Sequence, residues 1–234
     1  MSSTKHVHSE NAVPKDTDLA DAPRARAVEQ TYKPARQKRS VQSEQKLLAA
    51  AEALFADHGF EGTKVGDIIK KSGCSIGSFY HRFGDKDGLA KVMVDRYITD
   101  AVEIIGASDF SKSKHGDLRT MLRFLSQISC AFMTTRLGVY RAAHRLAQND
   151  PEIWTDTGNL SVLLRNRVVE FLPAFEDEIK APDPEAAMTQ ALQLILLVIL
   201  QTRLGSGALF PRDDDTLLNM LTNAALGILS DGAT

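Results

Sequence analysis

Polar and apolar positions divide this chain into a polar lead, a series of short amphipathic helices and a set of longer ones. Residues 1–40 carry Pro14, Pro23 and Pro34 among scattered charges and few apolar residues, so a disordered arm is expected there. Order is expected to begin near Ser43. In "SEQKLLAAAEALFADHGF", Leu47, Leu48, Ala51, Leu54 and Phe55 repeat with the period of one helical face. Ser43 can cap this first helix, and Gly59 can take the left-handed position after it, with Phe60 folding back on Phe55.

"GTKVGDIIKKSGCSIGSFYHRFGDKDGL", Gly62 to Leu89, reads as two helices too short to stand alone. Thr63 is placed as the cap of the second helix, with Asp67 near its positive end. Val65, Ile68 and Ile69 should face the first helix, and Gly73 should end the second. Ser75 opens a third helix, Phe79 and Phe83 share its inner face, and Gly84 stops it. Two short helices joined by a Gly-containing turn have the form of a helix-turn-helix. Asp85 then caps a fourth helix, in which Leu89, Met93 and Tyr97 recur at four-residue steps.

Beyond it the pattern stays helical, with expected helices over 117–134, 137–148, 151–179, 184–204 and 213–229. Asp150-Pro151 and Asp183-Pro184 are cap-plus-proline starts. No alternating strand pattern and no repeat of 20–50 residues is present. The fold expected is all-α. An arm (1–40) precedes a three-helix helix-turn-helix unit (41–100, the motif itself over about 64–83) and a helical bundle (101–234).

Charge and composition narrow this picture. The chain of 234 residues is 43% hydrophobic and 25% charged. Residues 24–100 hold 14 Lys and Arg against 10 Asp and Glu, whereas residues 101–234 hold 12 against 16. The first part therefore suits a polyanion better than the second. The basic stretch "RARAVEQTYKPARQKRS" reads either as a solvated tail or as an arm along DNA phosphates or a minor groove. The longest apolar run, Leu194–Leu200, is too short for a membrane span and reads as a buried helix. No apolar leader opens the chain and only Cys74 and Cys130 are present, so a reducing, cytoplasmic setting is expected, with no membrane partner.

The third helix is short because it is built for presentation. With Phe79 and Phe83 inward, Ser75, Ile76, Ser78, Tyr80, His81 and Arg82 are left at or near the surface. Small residues at a helix start let backbone approach a groove, and hydroxyl and imidazole groups can bond base edges or phosphates. Gly77 costs about 1 kcal/mol against Ala inside a helix, a cost that close approach of DNA or of another helix would explain.

These residues resemble the DNA-binding domain of TetR-type bacterial regulators. The likeness covers about Ser43–Tyr97: Gly59-Phe60, Thr63, Ile68, Gly73, Ser75, Gly77, Ser78, Phe79-Tyr80, Phe83 and Lys86. It implies a homodimer on a palindromic operator in double-stranded DNA and a C-terminal domain that binds a small-molecule effector. By that resemblance Thr63 and Lys64 meet phosphate, Ser75, Ile76, Gly77 and Ser78 face the groove, and Tyr80 reaches a phosphate. His81 lies near a base or the backbone, and Lys86 neutralises a phosphate. Ile76 departs from the basic or small residue common in the family, which suggests apolar readout such as a thymine methyl. Cys74 replaces a common Val and reads as a small core residue on Ile69, the other reading being a redox switch.

The effector implied by the resemblance needs a pocket in the bundle. Tyr97, Phe124, Gln127, Met133, Tyr140, His144, Trp154 and Gln193 are candidates to line it, although aromatics and Met at helical spacing equally suit plain core, and the polar residues equally suit a solvated face. The helix "MTQALQLILLVILQTRLG" is apolar almost all round and is expected to be buried on most sides. With "TLLNMLTNAALGILS" it is the expected dimer interface, the other reading being that both complete the subunit core. No metal, cofactor or catalytic constellation is expected. His6 and His8 stand alone in the arm, and Gly205-Ser206-Gly207 lacks the spacing and context of a nucleophile elbow. The reading is a regulator, a repressor released by its effector. The alternatives are an activator or co-regulator with the same head, and a helical interaction module without specific DNA binding.

Overall fold

The computed structural model describes residues 38–205 and 209–231. The proposed arm through residue 37, with His6 and His8, and Ser206-Gly207 lie outside the described residues, as does the Trp154 side chain. Among the described residues the chain is helical throughout, with no strand. Helix α1 (Lys38–Gly62) begins earlier than expected, so residues 38–40 belong to it and not to the arm. Its regular course breaks at Gly59, where φ is +73°, and Phe60 returns to within 5.1 Å of the Phe55 ring. Helices α2 (Val65–Ser72), α3 (Ile76–Phe83) and α4 (Lys86–Ala107) follow.

These four helices enclose a small core. Leu47, Ala51, Phe55, Ile68, Phe79, Phe83 and Leu89 are all fully buried. Helix α4 runs on through residue 100, so the head and the bundle share one continuous helix rather than meeting at a linker. A four-residue helix, α5 (Lys112–His115), precedes α6 (Leu118–Thr135) and α7 (Leu137–Leu146). Helix α8 (Glu152–Val169) ends ten residues before the expected limit of Ile179, and a single 3-10 turn over Leu172–Phe175 follows. Pro173 explains the break. It has no N–H to give, and its ring would collide with the carbonyl four residues earlier, at Val169.

Helices α9 (Pro184–Leu204) and α10 (Asp214–Asp231) close the bundle against α6. The Lys180 and Ala181 N–H groups both donate to the Leu229 carbonyl, tying the loop before α9 to the end of α10. Helix α9 corrects the expectation of burial on most sides. Its length and a mean hydropathy of 1.4 would suit a membrane span, but it packs on α6, α8 and α10. Within one chain only 39% of its most apolar stretch is buried, and Leu197 is 56% exposed.

Candidate functional site

The helix-turn-helix is set by three local features. The Asp67 carboxylate accepts from the Lys64 N–H at 3.3 Å, so the cap of α2 is Lys64, one residue beyond Thr63. Gly73 turns the chain with φ +66° while its N–H donates to the Ile69 carbonyl. Ser75 caps α3, its Oγ accepting from the Ser78 N–H at 3.2 Å and donating to the Ser78 Oγ.

Helix α3 is held by Phe79 and Phe83, whose rings lie 5.7 Å apart in the core. Its outer side is open. Ile76 is 63% and Tyr80 49% exposed, and Gly77 and His81 are exposed beside them. A side chain at Gly77 would meet nothing within 4 Å. No other helix among the described residues therefore explains the glycine, and an external partner would explain it.

Arg82 does not join this face. It is 6% exposed, donates to Glu44 at 2.5 Å, and reaches the Ser40 hydroxyl at 2.7 Å. The other oxygen of Glu44 pairs with Arg96 of α4. One buried carboxylate thus joins α1, α3 and α4.

A second site lies in the bundle. A cavity of about 80 Å³, partly open to solvent beside the exposed Ile104 and Ser161, is lined by α4, α6, α7 and α8, with one contact from α9. Tyr97 of α4 and Tyr140 of α7 meet across it through their hydroxyls, and Phe132 stacks on Tyr97 at 5.0 Å. Burial pushes both phenols above their ordinary pKa, and for Tyr97 the neighbouring Tyr140 adds to the shift. Both remain neutral hydroxyls.

Helix α7 also carries the head. The Glu52 carboxylate of α1 accepts the Gly138 N–H at 2.7 Å, at the start of α7. Arg141 donates to the Ala56 carbonyl, and Arg145 pairs with Glu61. The helices touch so closely that a Cβ at Gly138 would lie 2.3 Å from the Glu52 carbonyl oxygen. Burial raises the Glu52 pKa, and the N–H groups of Gly138 and Val139 and the charge of Arg136 only partly offset it.

Residues 47–93 match the family described as bacterial regulatory proteins, tetR family. A TetR-type N-terminal helix-turn-helix domain is present. It is 28% identical over 119 residues to the HTH-type transcriptional repressor AcnR of Corynebacterium efficiens, covering 50% of this chain and 58% of that protein. It is 34% identical over 97 residues to the HTH-type transcriptional regulator LmrA of Bacillus subtilis, covering 40% and 49%. The chain thus spans about half the length of the curated relatives it matches. The fold resembles that of Salmonella enterica GusR, with TM-score 0.56, 17% identity and coverage of 83% and 99%. It also resembles a tetR-family protein of Mesorhizobium loti, with TM-score 0.58, 16% identity and coverage of 82% and 97%.

The TetR-type head presents some of the expected contact residues and withholds others. Lys64, Ser75, Ile76, Gly77, Tyr80 and His81 are exposed, and Ser78 is half-buried among them. Thr63 is 1% exposed, and its hydroxyl donates within the chain, toward the Gly59 carbonyl at 2.8 Å and the Leu54 carbonyl at 3.2 Å. The reason is the left-handed break at Gly59, which frees carbonyls at the end of α1 that need a donor. Lys86 serves the same end. Its ammonium donates to the Phe60 and Thr63 carbonyls at 2.8 and 3.0 Å and sits 4.2 Å from the Phe60 ring centroid. Two of its three donors are already committed. Cys74 packs against the core as expected, with its thiol toward the Ser43 carbonyl.

In the bundle, Tyr97, Met133 and Tyr140 line the cavity. Phe124 does not: it lies against His115 at 4.7 Å and Phe110 at 5.8 Å, near α5. Gln127, His144 and Gln193 are on exposed helix faces. Sequence reasoning did not single out Ile105, Ser129, Leu160 and Leu164, which also line the cavity. Small or aliphatic and at ordinary helical spacing, they carry no mark that separates a cavity wall from packed core.

Proposed function

We propose that this chain is a TetR-family, sequence-specific DNA-binding transcriptional regulator, a repressor that leaves its operator when a small molecule fills the bundle cavity. The observation that carries the reading is α3: anchored by Phe79 and Phe83, it presents Ile76, Gly77, Tyr80 and His81 outward, exposed among the described residues. Ile76, Gly77 and Ser78 are assigned to the groove, Tyr80 and Lys64 to phosphates, and His81 to a base or the backbone. Thr63 and Lys86 act one step back, holding the end of α1 beneath these contacts. The repressor direction is supported by the likeness to AcnR, which is named as a repressor.

A helix-turn-helix reader gains useful affinity from two half-sites about 34–36 Å apart. The exposed Leu197 and the half-buried Leu194 and Leu200 of α9, together with half-buried Met220 on α10, support a homodimer through the last two helices. The cavity is placed to act on the spacing of the two heads. Its walls include α4, continuous with the head, and α7, on which α1 rests. Moving the operator-bound fraction from 99% to 1% needs about 5.5 kcal/mol of differential binding, so an effector must prefer the released geometry strongly. A cytoplasmic setting and the absence of an enzymatic role go with this reading.

Selection from random duplexes at two salt concentrations, followed by sequencing, tests it. Enrichment of a palindrome is expected. Binding that disappears with salt and enriches no motif would leave only general phosphate attraction and sink the reading.

A further inference from the structure

The polar groups of the bundle cavity are all neutral hydroxyls. Among its described lining residues no side chain is charged. Tyr97 and Tyr140 bond each other, which leaves one phenolic O–H of the pair to donate elsewhere. Ser129 differs from its neighbours on α6. Ser126 donates to the Leu122 carbonyl at 2.9 Å and Thr134 to the Cys130 carbonyl at 2.8 Å, the usual way a helix absorbs a hydroxyl. The Ser129 Oγ is buried and has no partner, although the residue lines the cavity. A buried hydroxyl without a bond is costly, and a ligand atom that supplies one recovers that cost.

The space and the walls set size and shape. A buried water needs roughly 10–15 Å³ measured this way, so about 80 Å³ corresponds to a molecule of roughly six to eight non-hydrogen atoms. The stacked Tyr97 and Phe132 rings offer a flat wall, and Ile105, Leu160 and Leu164 offer apolar ones. A charged group would lose its hydration with no charged side chain in the lining to meet it, since Arg136, whose charge reaches Tyr97, lies outside the lining and is paired with Asp100; a neutral oxygen would find donors and acceptors.

We propose that the cavity binds a small, uncharged, single-ring molecule bearing one hydroxyl or carbonyl oxygen, which bonds to Ser129 and the Tyr97–Tyr140 pair, and that it rejects carboxylates and ammonium ions of the same size. This rests on the cavity being the effector site, but its first test needs no DNA.

The full chain, labelled at its methionine methyls, is titrated with phenol, cyclohexanone, cyclopentanecarboxylate and cyclohexylammonium while NMR follows Met133, which lines the cavity, and Met188, which is buried in α9 and is not part of the lining. Phenol and cyclohexanone are expected to shift Met133 saturably, to leave Met188 in place and to raise the unfolding temperature. Cyclopentanecarboxylate and cyclohexylammonium are expected to do neither. Ser129→Ala should weaken phenol about tenfold, the equivalent of one hydrogen bond, with an unchanged spectrum for the free protein. Equal binding of a charged probe, no response of Met133 to either neutral ring, or an unchanged phenol affinity in Ser129→Ala would overturn the proposal. A DNA-release assay with the same probes separates the two claims. Saturable neutral binding that leaves an operator complex intact upholds the ligand class and defeats the effector reading alone.

Discussion

Arg82 of α3 and Glu44 of α1 form a 2.5 Å ion pair, 6% and 3% exposed, directly behind the helix that faces outward. The orientation of α3 is thereby set by charge as well as by its two phenylalanines. Arg96 shares the same carboxylate, so a displacement of α4 is felt at α3 through one residue. Removing Arg82 leaves the buried Glu44 carboxylate with only the half-exposed Arg96 to balance it, and breaking a buried pair is strongly destabilising. Arg82→Met is expected to cost about 3 kcal/mol of stability, lowering Tm by about 10 °C for a chain of this size. Differential scanning calorimetry checks this, and the loss should be accompanied by weaker DNA binding without a change in preferred sequence.

Gly138 marks the seat of the head on the bundle. A methyl there would stand 2.3 Å from the backbone oxygen of Glu52, an atom that cannot swing away. Gly138→Ala should therefore force α1 and α7 apart and cost about 1–3 kcal/mol, as overpacking does. Urea unfolding would show it, and operator affinity should change although residue 138 is remote from α3.

The Glu52 carboxyl gives a pH signature. Its folded pKa lies above the ordinary carboxyl value of about 4.5 because burial penalises the charge. A raised carboxyl pKa means that the folded state holds the proton more tightly, so this group's contribution to stability falls as pH rises from about 4.5 through the folded value. Glu52→Gln cannot ionise and should lose that slope. Urea midpoints between pH 4 and pH 7 are expected to show the variant gaining on the parent as pH rises, and parallel curves would contradict the assignment.

On α3, phosphate and base contacts should respond differently. Tyr80→Phe removes one hydroxyl from a half-exposed ring and is expected to weaken all duplexes alike, by about 1 kcal/mol. Ile76→Ser or Ser78→Ala should change the sequence selected from a random pool, because those side chains are assigned to the groove. An unchanged motif in both of the latter would move the reading face elsewhere.

The last two helices predict their own partner. Leu197→Glu places a charge on the exposed apolar strip of α9. If two copies meet there, the variant should sediment as a monomer at concentrations where the parent is a dimer, and it should fold normally because the position is open within one chain.

The head was legible in the sequence residue by residue. Gly59, Gly73, Ser75, Phe79, Phe83, Gly84 and Asp85 specify short helices through local rules: a left-handed turn, a cap, an i, i+4 apolar pair. Such rules act within four or five residues, and the structure places each of these residues accordingly. The all-helical bundle was equally plain from periodicity, whereas the early end of α8 at Pro173, the short α5 and the shift of the α2 cap to Lys64 were not.

Tertiary contact decided the rest. Whether Arg82 faces solvent depends on Glu44, 38 residues away, because two buried charges can settle only against each other. Whether Thr63 and Lys86 are free for a phosphate depends on carbonyls left open at the end of α1. Which of many aromatic and aliphatic residues wall a cavity depends on how helices cross, and no helix carries that information alone. Sequence determines which face of each helix is apolar. Only the assembled fold determines what that face meets, and so whether a residue packs, holds or reads.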